Sequence, residues 1–87
     1  MTSERDTGAV GITLRYWAGA RAAAGADAEA YAGQTVGDVL TQASTRHTAL
    51  EPVFAVSSIL LDGSPAARHD PLTEGATLEV LPPFAGG

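Results

Sequence analysis

The pattern that most limits the fold is one amphipathic helix with strand patterns on both sides of it. Thr35 suits a helix N-cap and Asp38 stands where it can reach back to the free amides. The helix stripe then follows at helical spacing: Val36, Val39, Leu40 and Ala43. Val10–Trp17 and Ala76–Leu81 alternate as half-buried strands do. We therefore predict an α+β domain with a mixed sheet packed on one main helix.

The segments before the helix have weaker signals. Ala18–Gly25, alanine-rich between two glycines, predicts a short helical turn that ends near Gly25. Asp27–Tyr31 predicts a second strand paired back on the first. Arg46 and His47 are expected in the last turn of the main helix.

The segments after the helix are also short. We interpret Thr48–Phe54 as irregular, because Pro52 interrupts any long helix there. Val56–Leu61 predicts a third strand, and Asp62-Gly63 is a tight-turn signal for a hairpin into Ser64–Ala67. Asp70–Leu72 predicts a single helical turn, followed by a turn at Glu74-Gly75.

This order of elements allows the first and last strands to lie side by side and parallel in the centre of the sheet. A β-grasp (ubiquitin-like) arrangement satisfies the right-handed crossover rule in a chain of 87 residues. We expect a disordered leader over residues 1–9, the domain over residues 10–81 and an extended tail over residues 82–87.

Composition excludes several functions. A net charge of −5 argues against nucleic acid as a partner, since phosphate binding needs clustered cations. No apolar run approaches a membrane span, and the first residues lack the apolar core of a signal peptide, so we expect a cytoplasmic protein. The chain contains no cysteine and no lysine, which excludes a thiolate nucleophile, a lysine Schiff base and an isopeptide on its own side chains.

The sequence shows no catalytic constellation. His47 and His69 are far apart and lack the spacing of a metal site, so we predict no bound metal and no bound cofactor. No serine stands in a nucleophile-elbow motif, and the glycines form neither a dinucleotide fingerprint nor a P-loop.

The tail follows Leu81 and consists of Pro82, Pro83, Phe84, Ala85, Gly86 and Gly87. The proline pair favours a stiff, extended exit, and the two glycines leave the terminal carboxylate unscreened. Such a tail suits a narrow channel in another protein, although a frayed end is the plain alternative. Because the sequence shows no other reactive group, the carboxylate of Gly87 is the candidate reactive group of this chain.

A second candidate feature lies on the outward face of the predicted sheet. Trp17 and Leu81 point away from the core if the first strand has the expected register. An outward tryptophan beside an aliphatic residue favours a binding surface. A register shifted by one residue would instead make Trp17 part of the core.

Several segments together resemble the small subunit of molybdopterin synthase, one of the ubiquitin-like sulfur carriers. They are Tyr16-Trp17-Ala18 with Arg21, Thr35–Leu40, Pro71-Leu72 with Gly75, and Leu81-Pro82-Pro83 with Gly86-Gly87. The proline pair favours the molybdopterin branch over the thiamine branch. Phe84 departs from the smaller aliphatic residue that is more usual there.

The resemblance implies a mechanism and partners. An E1-like adenylyltransferase would use ATP to adenylate the Gly87 carboxylate, and a sulfurtransferase would supply the sulfur of a thiocarboxylate. Residues 82–86 would line a channel in the catalytic large subunit, in a heterotetramer that makes the dithiolene of molybdopterin from cyclic pyranopterin monophosphate. Trp17, Pro65 and Leu81 would contact that subunit, while this chain would itself be non-catalytic.

Three alternatives remain open from the sequence. The sulfur could serve another pathway, such as thiamine or cysteine synthesis. The chain could be a ubiquitin-like modifier joined to target lysines, or a plain interaction domain with an inert tail.

Overall fold

The computed structural model describes residues 8–83, which form five strands and three helices. The strands are β1 (Val10–Tyr16), β2 (Ala28–Gly33), β3 (Ser58–Leu61), β4 (Ser64–Pro65) and β5 (Thr77–Leu81); the helices are α1 (Gly19–Ala24), α2 (Val36–Arg46) and α3 (Leu50–Val56). The predicted leader lies mostly outside these residues, and so does the tail from Phe84 onward.

The strands form one mixed sheet in the order β2-β1-β5-β3-β4. β1 and β5 are neighbours and run parallel, with Thr13 opposite Thr77 and Tyr16 opposite Val80. The other pairs, β1–β2, β5–β3 and β3–β4, are antiparallel. This is the β-grasp topology that the sequence predicts, with the first and last strands at the centre.

One face of the sheet packs on the helices. The alternating residues of the central strands point into that interface, and the apolar stripe of α2 covers them. The fully buried residues are Leu14, Ala20, Val36, Val39, Ala43, Leu50, Leu78 and Val80, each at 0 % exposure. Period-2 alternation and helical spacing thus identified the core-facing residues of β1, β5 and α2 correctly.

The main helix begins with the predicted cap. Thr35 Oγ1 accepts a hydrogen bond of 3.2 Å from the Asp38 amide. Asp38 Oδ2 in turn accepts from the amides of Gln34 and Thr35, at 2.9 and 3.1 Å. These amide donors hold the pKa of the Asp38 carboxyl below its usual range. A capping box therefore fixes where α2 starts.

The segment interpreted as irregular is in fact helical from Leu50 onward. Pro52 is the third residue of α3. The first amides of a helix have no partner four residues earlier, so a proline in that turn removes no hydrogen bond. Leu50 and Phe54 are buried under the sheet. The prediction was wrong because Pro52 was treated as a helix breaker rather than as a first-turn residue.

Three shorter predictions also need correction. Val56 closes α3 rather than opening a strand, and β3 starts at Ser58. The hairpin at Asp62-Gly63 is confirmed by positive φ at both residues, 48° and 86°, but β4 is only two residues long. The segment Asp70–Leu72 is extended rather than a helical turn. Pro71 forms an isolated antiparallel β-bridge with Thr35, and the Leu72 amide donates a hydrogen bond of 2.9 Å to the Gln34 carbonyl.

Candidate functional site

The second face of the sheet carries no helix within residues 8–83. One row of side chains crosses all five strands on this face, because the residues are paired in register from strand to strand. The row consists of Ala28, Arg15, Glu79, Leu60 and Pro65. Each of these residues is exposed or half-buried. The face is therefore accessible and has a defined register.

The three residues predicted to contact a partner lie on the same open face. Trp17 follows the buried Tyr16 and is half-buried, and its backbone amide donates to the Val80 carbonyl at 3.2 Å. Leu81 is half-buried at the end of β5, and Pro65 is exposed on β4. The register of β1 thus agrees with the outward interpretation of Trp17, whose binding role remains a prediction.

Sequence reasoning missed Leu60, which lies between Glu79 and Pro65 on the same face. Its position follows from the hairpin, because Leu60 pairs with Pro65 on one side and with Glu79 on the other. The sequence did contain a signal for this position: side chains alternate between the two faces along β3, and counting back from the Asp62-Gly63 turn places Leu60 on the open face. We call Trp17, Leu60, Pro65 and Leu81 the open-face patch.

Two charged side chains adjoin the patch. The Arg15 guanidinium lies over the Trp17 ring, 5.2 Å from its centroid, in a cation–π contact. The Trp17 indole Nε1–H donates a hydrogen bond of 3.2 Å to Glu79 Oε2. Together they hold the indole in one orientation between β1 and β5.

The chain leaves the sheet beside this patch. Leu81 ends β5, Pro82 is half-buried and Pro83 is exposed. Since β1 and β5 run parallel, the exit lies at the same edge as Trp17. Phe84, Ala85, Gly86 and Gly87 fall outside the described residues, so their predicted roles remain predictions.

A second polar cluster, missed from the sequence, is centred on Glu29 of β2. Its carboxylate accepts hydrogen bonds from the Tyr16 hydroxyl at 2.7 Å and the Tyr31 hydroxyl at 3.0 Å. His47 Nε2 lies 2.9 Å from Glu29 Oε2. The Arg46 guanidinium Nε lies 3.8 Å from Glu29 Oε2, and the guanidinium carbon lies over the Tyr31 ring, 5.9 Å from its centroid. The cluster joins the C-terminal end of α2 to β1 and β2.

The environment of this cluster shifts its pKa values. Burial by itself would raise the pKa of Glu29, but the hydrogen bonds from Tyr16, His47 and Tyr31 outweigh it and lower that pKa. Burial and the adjacent carboxylate raise the pKa of the Tyr16 hydroxyl and of the Tyr31 hydroxyl. Every polar group of the cluster is engaged within the fold, so we interpret it as structural.

The helical side offers no catalytic arrangement in residues 8–83. An open groove of about 280 Å³ is lined by Thr41, Ser44, Thr45, Glu51 and Arg68. The hydroxyls of Ser44 and Thr45 donate to carbonyls one turn earlier in α2, at 2.9 and 3.0 Å. His69 is exposed and lies 3.6 Å from Asp70, away from His47.

Between residues 8 and 83 there is no helix with the length and apolar character that crossing a membrane requires.

Comparison with known proteins agrees with this geometry. The model of the ThiS family matches residues 14–87, a segment that includes the end of β1, all of β5 and the Gly-Gly end. Among curated proteins no significant sequence match was found.

Three solved structures share the fold. Small archaeal modifier protein 1 from Methanosarcina acetivorans has a TM-score of 0.83 and 23 % identity, over 91 % of this chain and 98 % of that one. A putative molybdopterin converting factor subunit 1 from Pyrococcus furiosus has a TM-score of 0.78 and 24 % identity, over 86 % and 99 %. A chain of the complex of subunits 1 and 2 of molybdopterin-converting factor from Helicobacter pylori has a TM-score of 0.68 and 16 % identity, over 90 % and 100 %.

The topology, the match over residues 14–87 and the structural likeness lead to one conclusion. The chain belongs to the ThiS family and has the ubiquitin-like β-grasp fold.

Proposed function

We propose that this chain is the sulfur-carrying small subunit of a molybdopterin synthase. The observation that carries the proposal is the position of the open-face patch beside the exit of the tail. A partner that docks on Trp17, Leu60, Pro65 and Leu81 can also receive the segment from Pro82 onward. The family match to Gly87 supports the same assignment, because it includes the Gly-Gly end.

The chemistry takes place at the Gly87 carboxylate and is performed by other enzymes. The carboxylate attacks the α-phosphorus of ATP, releases pyrophosphate and becomes an acyl adenylate on an E1-like adenylyltransferase. The terminal sulfur of a sulfurtransferase persulfide then adds to the acyl carbon and AMP leaves, which produces an acyl disulfide. A thiol then reduces its S–S bond, which leaves the thiocarboxylate and forms a disulfide between the thiol and the sulfurtransferase. Adenylation is needed because a free carboxylate has no good leaving group.

The large subunit would use this sulfur for the dithiolene. The structure of the Helicobacter pylori complex is of subunits 1 and 2 of molybdopterin-converting factor. That assembly supports a large-subunit partner for this chain. We propose that the two form a heterotetramer with the patch at the interface. Residues 82–86 would lie in the channel of that subunit, and ATP would be consumed by the activating enzyme rather than bound here.

Mass spectrometry tests the proposal. The protein is incubated with ATP, an E1-like enzyme and a sulfur source, and the C-terminal peptide should gain the mass expected when sulfur replaces one oxygen. A variant with one alanine added after Gly87 is the matched control. It keeps every native residue, but the Gly87 carboxyl group is converted to a peptide carbonyl and cannot be adenylated. Thiocarboxylate on the extended variant, or none on the wild type, would contradict the assignment.

A second candidate function is supported by the likeness to small archaeal modifier protein 1, with a TM-score of 0.83. In that case the activated Gly87 would form an isopeptide with a lysine of a target protein. Gly87-linked peptides in a cellular digest would establish conjugation. Rescue of a thiamine or cysteine auxotrophy, without binding to a large subunit, would instead indicate sulfur delivery to another pathway.

A further inference from the structure

The open-face patch adjoins one acidic group, Glu79, that forms no ion pair within residues 8–83. Glu79 lies in the row between Arg15 and Leu60, with Trp17 and Leu81 in the neighbouring positions. It is half-buried and accepts one hydrogen bond, from the Trp17 indole at 3.2 Å. Within residues 8–83 no cation lies within ion-pair distance of its carboxylate.

The nearest strand neighbour that could neutralise Glu79 is otherwise engaged. Arg15 is paired with Glu79 across β1 and β5, yet its guanidinium lies over the Trp17 ring. The Trp17 indole therefore contacts both charged groups: the Arg15 guanidinium lies over its ring, and its Nε1–H donates to the Glu79 carboxylate. The carboxylate keeps acceptor capacity for a further donor, since an ionised carboxylate offers about four lone-pair sites.

Docking on the patch would remove water from Glu79. Burying a carboxylate is costly unless the new environment supplies an opposite charge and hydrogen-bond donors. An apolar partner surface would therefore be rejected at this position, while a surface with one cation would be accepted. The chain also has a net charge of −5, which favours a basic partner over a second copy of itself.

We propose that the partner of the open-face patch presents an arginine or lysine side chain to Glu79, surrounded by apolar residues that cover Trp17, Leu60 and Leu81. This inference rests on the proposed function, and it names the chemistry of the surface that the large subunit uses. Glu79 thereby selects the partner by charge, while the apolar side chains supply contact area.

Calorimetric titration with the molybdopterin synthase large subunit from the same organism tests the inference. Glu79→Gln keeps the shape and the indole hydrogen bond but removes the charge, and should weaken binding at least about tenfold. Glu79→Lys should weaken it further by placing two cations together. The matched control is the pair Glu51→Gln and Glu51→Lys on α3, which makes the same charge changes on the helical side and should leave affinity within about twofold.

Salt and Arg15 provide a second readout. The affinity difference between wild type and Glu79→Gln should be smaller at high salt, because salt screens the attraction between Glu79 and the partner's cation. Arg15→Gln should weaken binding clearly less than Glu79→Gln does, because the loss of the cation–π contact with Trp17 is offset by the removal of a charge that repels the incoming cation. Weakening by Arg15→Gln equal to that by Glu79→Gln would mean that Arg15 neutralises Glu79 itself, and would overturn the inference.

The outcomes separate this inference from the proposed function. If Leu81→Ala abolishes binding while Glu79→Gln binds as the wild type does, the large subunit is the partner but the charge selection is wrong. If the wild type forms a dimer that Glu79→Lys and Arg15→Glu each disrupt, a second copy occupies the patch and the inference fails. If no large subunit binds and no thiocarboxylate forms, both proposals fail.

Discussion

Tyr16, the last residue of β1, donates its hydroxyl hydrogen to Glu29 on β2 across a distance of 2.7 Å. Tyr16 is only 2 % exposed, so its side chain is largely shielded from bulk water. The bond ties the buried centre of the sheet to a carboxylate that also contacts the C-terminal end of α2 through His47.

We expect Tyr16→Phe to lower the free energy of unfolding by about 1.5–3 kcal/mol, the range for a hydrogen bond to a charged group. Urea unfolding followed by circular dichroism measures the change. Tyr31→Phe is the matched control, because it removes a bond to the same carboxylate from a half-buried ring that water can reach. A larger loss for Tyr31→Phe than for Tyr16→Phe would contradict this interpretation.

The same cluster predicts a pH dependence. The pKa of Glu29 is lower in the folded protein than in the unfolded chain, so the unfolded state takes up the proton first as pH falls. The stability that Glu29 contributes is therefore present above its ordinary pKa of 4.5 and is lost as the pH drops through the folded value. The difference in unfolding free energy between wild type and Glu29→Gln should shrink from pH 7 toward pH 3, about the range where carboxylates titrate.

A Glu51→Gln series run in parallel is the control for general acid effects, because Glu51 is exposed on α3. A difference between wild type and Glu29→Gln that stays constant over the titration would show that the carboxylate is not stabilised by its charge.

The capping box of α2 predicts a stability change without any loss of core packing. Thr35→Ala removes the acceptor of the Asp38 amide and should cost about 1 kcal/mol. Thr35→Ser retains the hydroxyl and should cost much less. Equal losses for the two variants, measured by thermal unfolding, would assign the effect to the lost methyl group instead.

Two substitutions of Trp17 distinguish the contribution of its apolar contact area to binding from that of its hydrogen bond to Glu79. Trp17→Ala should weaken binding to the large subunit about 30-fold or more, as expected for a hot-spot tryptophan. Trp17→Phe keeps an aromatic ring but loses the indole donor to Glu79, so its loss should be clearly smaller. Binding by Trp17→Ala equal to that of the wild type would remove the patch from the interface.

Three elements, β1, β5 and α2, were predictable from the sequence because each has a repeating pattern of apolar residues. Alternation in β1 and β5 and helical spacing in α2 reflect which side chains face the core, and those three elements are confirmed. The capping signals at Thr35 and Asp38 are local contacts, so the sequence contains them directly. The exit of the tail beside Trp17 followed from the parallel order of the terminal strands.

Other features depend on pairing, which a single sequence does not show. In the sequence Glu29 stands between Ala28 and Ala30, a pattern that is typical of an exposed carboxylate. Its inward orientation follows from its pairing with the core-facing Leu14 across β1 and β2, which a single sequence does not show. Leu60 required the exact position of the hairpin. The helix α3 was hidden because a proline in a first turn and a proline that ends a helix look alike in sequence.

The central pairing of β1 with β5 also has a mechanical consequence. The chain enters β1 at Val10 and leaves β5 at Leu81, at opposite ends of a parallel pair. A force applied between these two points slides the strands along each other and loads their hydrogen bonds together, rather than opening them one at a time. β5 is held by β3 on its other side as well. A domain built this way can be pulled by the segment beyond Pro82 and keep its shape.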